Sequence, residues 1–194
     1  MKKILIAAAV GMLVAGQVSA QESPWLLRAR AVNLVMSNHD ATGLDLKVDD
    51  KTIPEVDVSY FFNKNVAAEL VLTLPQQQQV SAAGSNIGTF KHLPPTLTVQ
   101  YHFTNFDGYK PYVGAGLNYT KITQVNLGGT GLDDHSYGFA LQAGVDVPLT
   151  KQVSLNFDVK KVQIQSGVYA ANGTSYGTLK LDPVLVGVGV GYRF

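Results

Sequence analysis

The chain has 194 residues, with 15 Lys+Arg against 14 Asp+Glu for a formal charge of +1, and it contains no cysteine. A length of this order fits one domain, and so balanced a charge leaves no electrostatic footprint for nucleic acid. The lack of Cys excludes a disulfide framework, a thiol nucleophile and a thiolate metal site.

Residues Met1 to Ala20 read as a secretory leader, with a basic Lys2-Lys3 start, an apolar stretch from Ile4 to Ala15 and small residues at Val18-Ser19-Ala20 for cleavage. The apolar stretch is short for a membrane-spanning helix. The mature unit is therefore expected to run over 21–194 from Gln21, and no Cys follows the leader to carry a lipid. Loss of Lys2 and Lys3 takes the 15 basic residues to 13 against 14 acidic ones, a formal charge of −1.

Beyond the leader the period is two, not 3.6. Eight alternating stretches lie near 25–36, 53–62, 65–74, 93–103, 110–121, 136–147, 152–164 and 179–194. Each is close to, or longer than, the roughly 9–11 residues a tilted strand needs to cross a bilayer. The connections alternate in length. Asn63-Lys64, Thr104 to Tyr109 and Pro148 to Lys151 are short, whereas Ser37 to Thr52, Pro75 to His92, Thr123 to His135 and Gln165 to Thr178 are long and polar. Short turns on one side and long loops on the other predict an all-β fold: an eight-stranded antiparallel transmembrane barrel with periplasmic turns and extracellular loops. The Gln run at Gln76 to Gln79 is expected to be a solvated loop, and Gly128-Gly129-Thr130-Gly131 lacks the Lys and helix of a phosphate loop.

One parity of each stretch is apolar. In the last one, Val184, Val186, Val188, Val190, Tyr192 and Phe194 share a face, opposite Leu185, Gly187, Gly189, Gly191 and Arg193. Aromatics gather at stretch ends, with Trp25, Tyr60, Phe62, Tyr101, Phe103, Tyr192 and Phe194 at the periplasmic side and Tyr119, Tyr137 and Phe139 at the outer side. These are the girdles of an outer-membrane barrel. A soluble lipocalin-like barrel also has eight alternating strands but turns its apolar face inwards, and the leader, the girdles and the terminal Phe favour the membrane. Lys161 falls on the outward parity, so that it either snorkels to the headgroups or marks a bulge, and Lys180 and Asp182 raise the same question before Pro183.

The inward parity carries Arg28, Arg30, Lys160 and Arg193 against Glu55, Asp57, Glu69, Asp146 and Asp158. Charges in a narrow barrel must pair or stay hydrated, so these predict a charged plug, either as an ion-pair filling or as a solute-selecting constriction. An eight-stranded barrel has only enough width for its own side chains, which speaks against a wide pore. Further out the inward residues become apolar: Val32, Leu34 and Met36 on the first stretch, Val162 and Ile164 on the seventh. They predict an apolar pocket at the external mouth that takes small hydrophobic solutes, or ordinary packing that closes the barrel top. The four histidines, His39, His92, His102 and His135, have no zinc-protease spacing, and neither Ser37 nor Ser166 stands at a triad spacing from a histidine. The expectation is a non-enzyme without cofactor or metal, an outer-membrane lipid-modifying enzyme or protease and a loop-displayed adhesin or receptor being the alternatives.

Several segments together resemble the outer membrane protein W family, which includes alkane-uptake proteins. They are Trp25 with Arg28-Ala29-Arg30, His92-Leu93-Pro94-Pro95-Thr96-Leu97 running to Gln100-Tyr101-His102-Phe103, Lys110-Pro111-Tyr112-Val113-Gly114-Ala115-Gly116-Leu117-Asn118-Tyr119, and Asp182-Pro183 leading to Gly189-Val190-Gly191-Tyr192-Arg193-Phe194. The resemblance implies a bacterial outer-membrane barrel among lipid and lipopolysaccharide. It also implies a narrow apolar outer channel and passive movement of small hydrophobic compounds, with lateral escape through the wall. It further implies that Tyr192 and Phe194 are read by the barrel-assembly machinery, although the place seven before Phe194, often polar in the family, is Gly187 here. The Pro94-Pro95 pair removes ladder donors and is the expected position of a lateral opening.

Overall fold

A computed structural model describes residues 23–194, so the expected leader over 1–20 lies outside the described residues. The first half of the chain forms β1 (Trp25–Val35), β2 (His39–Asp40), β3 (Leu46–Val48), β4 (Lys51–Phe61), β5 (Val66–Thr73), β6 (Gln76–Ala82), β7 (Ser85–Leu93) and β8 (Thr96–His102). The second half forms β9 (Lys110–Asn126), β10 (Gly131–Leu132), β11 (His135–Pro148), β12 (Val153–Val162), β13 (Gln165–Tyr169), β14 (Ser175–Lys180) and β15 (Val184–Arg193).

Eight of these strands close on themselves in the order β1-β4-β5-β8-β9-β11-β12-β15, every pair antiparallel, with β15 returning to β1 along Leu26↔Arg193 to Val35↔Val184. Closure leaves no open sheet edge, which is what a β-structure in hydrocarbon requires. Two of the three expected short turns are tight. Asn63 Oδ1 accepts from the backbone N–H groups of Asn65 and Val66, and Thr150 Oγ1 accepts from those of Gln152 and Val153.

The parity reading holds along the barrel. In β1 the residues Leu26, Arg28, Arg30, Val32 and Leu34 are buried, while Trp25, Ala29, Ala31, Asn33 and Val35 are exposed. Leu97, Val99, Leu117, Leu141, Val186, Val188 and Val190 form an exposed apolar belt. At its periplasmic edge Trp25 meets Tyr60, Tyr60 meets Phe62, Tyr101 meets Phe103 and Tyr192 meets Phe194, all edge-on at 4.9–5.3 Å. At its outer edge Tyr119 and Tyr137 are 5.1 Å apart. Lys161 keeps the outward parity with no bulge, level with Leu141 and Val184, and its ammonium donates to Ser37 Oγ at 2.8 Å and to the carbonyl of Asp182. Asp182 in turn has a left-handed backbone, φ 32°, and its side chain accepts the N–H of Ile164 at 2.9 Å. The bulge is thus absent, and the ammonium is taken up by protein acceptors of the adjoining connections.

The long connections depart from expectation, because they are folded. The β6–β7 hairpin rises above the barrel, with β7 bonded to the outer part of β9 and β3 bonded to β6. A second sheet, β10-β13-β14-β2, stands beside it. The Gln run is the start of β6 and not a solvated loop, since Gln76 and Gln78 are buried. Their amides are bonded, Gln76 Nε2 to the carbonyl of Leu74 at 2.9 Å and Gln78 Nε2 to His92 Nε2 at 3.1 Å, which removes the cost of burying them.

Inward glycines make room for large side chains. A Cβ on Gly144 would lie 2.4 Å from the Tyr112 ring and 2.6 Å from the carbonyl of Phe157. Gly144→Val is therefore expected to displace Tyr112 and cost about 1–3 kcal/mol, the usual range for overpacking. A lowered urea midpoint of the barrel folded in lipid vesicles checks this.

Candidate functional site

The lumen divides into two layers by the chemistry of its walls. Arg28, fully buried, is the centre of the inner layer. Its Nε and Nη2 grip Asp146 as a fork at 3.2 and 2.7 Å, and its Nη1 donates to Asp57 at 3.1 Å, Glu69 at 3.2 Å and Ser59 Oγ at 3.0 Å. Arg30 lies one inward position further out. It pairs with Glu55 at 3.1 Å, Asp57 at 2.6 Å, Glu69 at 3.4 Å and Asp158 at 3.5 Å. Lys160 Nζ stands 3.7 Å from both Glu55 and Glu69. Eight of the nine residues expected in the plug thus form one connected network.

The ninth lies at another depth. Arg193 sits at the periplasmic rim, opposite Leu26 in the register, with Nε donating to the Ser23 carbonyl at 2.8 Å and its guanidinium 4.2 Å over the Phe61 ring. It enters from the end of β15, two residues nearer the periplasmic rim than Arg28 on β1.

Neutral side chains complete the inner layer, and sequence reasoning did not assign them to it. Gln142 donates to Glu69 at 3.0 Å and Asp158 at 2.7 Å while accepting from Thr98 and Gln100. Tyr112 donates to Asp158 at 2.7 Å and Asn156 to Asp146 at 2.9 Å. Their inward parity is legible in the sequence, but a neutral side chain does not show which ionic partners it will bond. These neutral partners satisfy many of the lone pairs of Glu69, Asp146 and Asp158, which helps make so dense a buried ionic cluster tolerable.

The outer layer is apolar. Val32, Leu34, Met36, Val162 and Ile164 belong to one buried cluster with Ile53 and Leu185 of the barrel and Leu46, Val48, Val80, Phe90, Val168 and Leu179 of the outer strands. The expected mouth residues therefore lie together, roofed by the folded connections. Between this cluster and the plug is a cavity of about 20 Å³, lined by Leu34, Val162 and Ile164 on the apolar side and by Glu55, Thr73, His92 and Lys160 on the polar side. Pro94 lines it as well, whereas Pro95 is next in chain and its carbonyl accepts from Tyr119 N–H and Asn118 Nδ2.

The wall beside the cavity is incompletely laced. The β4–β5 ladder stops at Glu55↔Thr73 and the β5–β8 ladder at Val71↔Thr96. Above that level Lys51 to Pro54 pair with β1 but, among the described residues, with no strand on their other side. Ser37 Oγ and Ser166 Oγ, the nucleophiles of the enzyme alternative, donate to the carbonyls of Asp182 and Gly167.

Removing Arg28 would leave Asp57, Glu69 and Asp146 facing one another in a buried lumen. Arg28→Ala is expected to destabilise the folded barrel by about 3–5 kcal/mol, as breaking a buried ion pair does, or to open conductance by admitting water. Urea titration and planar-bilayer recording together check it, and a variant unchanged in both would remove the plug. A pH effect follows from His92, whose backbone pairs with Ile122, three residues beyond the girdle residue Tyr119 on β9. Burial, and secondarily the Lys51 charge, push its imidazole down from 6.5 to about 4. The unfolded chain takes up a proton that the folded one refuses, so stability falls as pH drops from about 6.5 to about 4. His92→Phe is expected to flatten that part of the pH profile, measured as the urea midpoint.

Comparison with known proteins agrees with this architecture. A model of the OmpW family matches residues 20–194. The uncharacterized outer-membrane protein y4mB of Sinorhizobium fredii is 42% identical, covering 91% of this chain and 82% of its own. Outer membrane protein W of Vibrio cholerae is 30% identical over 90% of each chain. The crystal structure of the outer membrane protein OprG from Pseudomonas aeruginosa superposes with a TM-score of 0.75 at 23% identity, covering 92% of this chain and 99% of that one. With its matching family model, closed barrel, apolar belt and aromatic girdles, the chain belongs to the OmpW family and is a β-barrel of the bacterial outer membrane.

Proposed function

We propose that this barrel is a passive channel for small hydrophobic molecules. A solute enters the apolar chamber among Val32, Leu34, Met36, Val162 and Ile164, is stopped by the charged plug, and leaves sideways through the wall at Pro94-Pro95 into the lipid. The observation that carries the reading is the position of the ladder break, at the level where the apolar layer meets the plug. A hydrophobic solute gains nothing by crossing an ion-pair network, which would have to lose hydrogen bonds to let it pass. The neighbouring lipid has the polarity of the chamber.

The cavity is small in this closed structure, so passage requires the roof and the wall to part. The sparsely bonded stretch from Lys51 to Pro54 and the two prolines, which donate no ladder bond, are where parting breaks fewest backbone hydrogen bonds. The name of one relative fits: a Pseudomonas aeruginosa protein, 24% identical over 90% of each chain, is named for a dibenzothiophene metabolism operon. The exposed belt would sit in lipid and lipopolysaccharide, and Tyr192 and Phe194 would meet the barrel-assembly machinery. A second reading, a surface receptor or adhesin, has one observation in its favour, an open polar cleft of about 460 Å³ on the outer strands lined by Asp133, His135, Tyr137 and Tyr169.

Uptake of a small hydrophobic fluorophore beside a polar one of equal size, in whole cells with and without the protein, tests the proposal. Faster entry of the hydrophobic probe alone is expected. Replacing both Pro94 and Pro95 by Ala should slow that entry while leaving heat-modifiable mobility on gels unchanged, and unaltered uptake would remove the lateral exit.

A further inference from the structure

The cavity between the apolar layer and the plug has an unusual wall. Among the described residues, six buried side-chain atoms have no hydrogen-bond partner. Four of them, Glu55 Oε2, Thr73 Oγ1, His92 Nδ1 and Lys160 Nζ, belong to residues that line this one cavity. The other two, on Arg30 and Asp57, are held in ion pairs at 3.1 and 2.6 Å. Lys160 Nζ has only its two long ion pairs at 3.7 Å, and the other three have none at those atoms. Buried polar groups are nearly always bonded, so three spare groups and a loosely held ammonium around one space mark a place built for a polar guest.

From this we infer that the cavity is a head-group subsite for neutral amphipathic molecules, an alcohol being the simplest, with the tail lying in the apolar chamber; the inference rests on the channel reading above. Size is the first reason. A volume of about 20 Å³ holds one group of the size of a water or a hydroxyl, since about 10–15 Å³ suffices for a water. Bonding capacity is the second. A hydroxyl donates once and accepts twice, matching a carboxylate oxygen at Glu55, an ammonium at Lys160 and the adaptable hydroxyl of Thr73. Charge is the third. The adjoining plug carries five carboxylates against Arg28, Arg30 and Lys160, so an anionic head is repelled. The tail then lies against Leu34, Val162 and Ile164, which line the same cavity. The subsite would thus sort solutes by their polar end before they reach the wall opening, which Pro94 places on the same cavity.

Thr73 allows a clean test, because it lies outside the ion-pair network. The isotope-labelled barrel in lipid nanodiscs is titrated with n-octane, 1-octanol and octanoate at equal mole fraction in the bilayer. The methyl signals of Leu34, Val162 and Ile164 are followed. Saturation by 1-octanol is expected at about three- to tenfold lower mole fraction than by octane, the range of one net hydrogen bond, with octanoate the weakest. Thr73→Val should erase the advantage of the alcohol, and Thr73→Ser should keep it. Equal saturation by octane and octanol, indifferent to Thr73→Val, would overturn the subsite and leave the channel standing. A water signal at Thr73 that no probe displaces would make it a hydration site only and overturn the inference too. No response to any of the three, with no uptake of the hydrophobic fluorophore by the folded barrel, would overturn the channel reading and the subsite with it.

Discussion

Hydrocarbon neither donates nor accepts a hydrogen bond, and most of the architecture follows from that. Each strand has to bond to two neighbours, so the sheet must close. Closure gives every strand an outside in lipid and an inside too narrow for bulk water. Side chains that are apolar by necessity alternate with side chains that must find partners within the lumen. Arg28 answers that demand most fully, bonding to Asp57, Ser59, Glu69 and Asp146 on three other strands. The plug fastens strands that the backbone ladder joins only to their immediate neighbours.

The period of two made the barrel legible. It separated the lipid face from the lumen face and located the aromatic girdles and the charged residues of the plug. What it did not convey has physical causes. The strands β3, β6 and β7 alternate too, but their inward positions include Gln76, Gln78 and His92, which read as solvent-loving until their partners are known. Tyr112 stood beside a run of outward residues, and its role appears only when Gly144 is found opposite it on β11. Arg193 shares the parity of the plug, but depth along a strand is not parity, and it lies at the rim. The five apolar mouth residues were identified as a group, yet their roof was not, because it comes from segments that look like loops.

The two layers of the lumen have different mechanical characters. The inner one is cross-linked by directional charge-assisted bonds, which resist small displacements and fail abruptly. The outer one is held by contacts among aliphatic side chains, which are non-directional and tolerate sliding. The channel proposed above, closed below and yielding above, would need this division. The ladder break lies on the yielding side, beside β9, whose 17 residues bond first to β8 and then to β7 and so bridge the interruption.

The reach of the plug along the chain has a consequence for how the molecule comes into being. Arg28 bonds to Asp146, 118 residues away, and Arg30 to Asn156, 126 residues away. Contacts of such separation form late, since the chain entropy of bringing them together is lost before they return anything. Until β11 and β12 are in place, the N-terminal strand holds two guanidinium groups with part of their acceptors missing, and a half-built barrel in lipid is electrostatically incomplete. Closure of β15 on β1 and neutralisation of the lumen therefore draw on the same distant strands, and the ion pairs are complete only once those strands are in order.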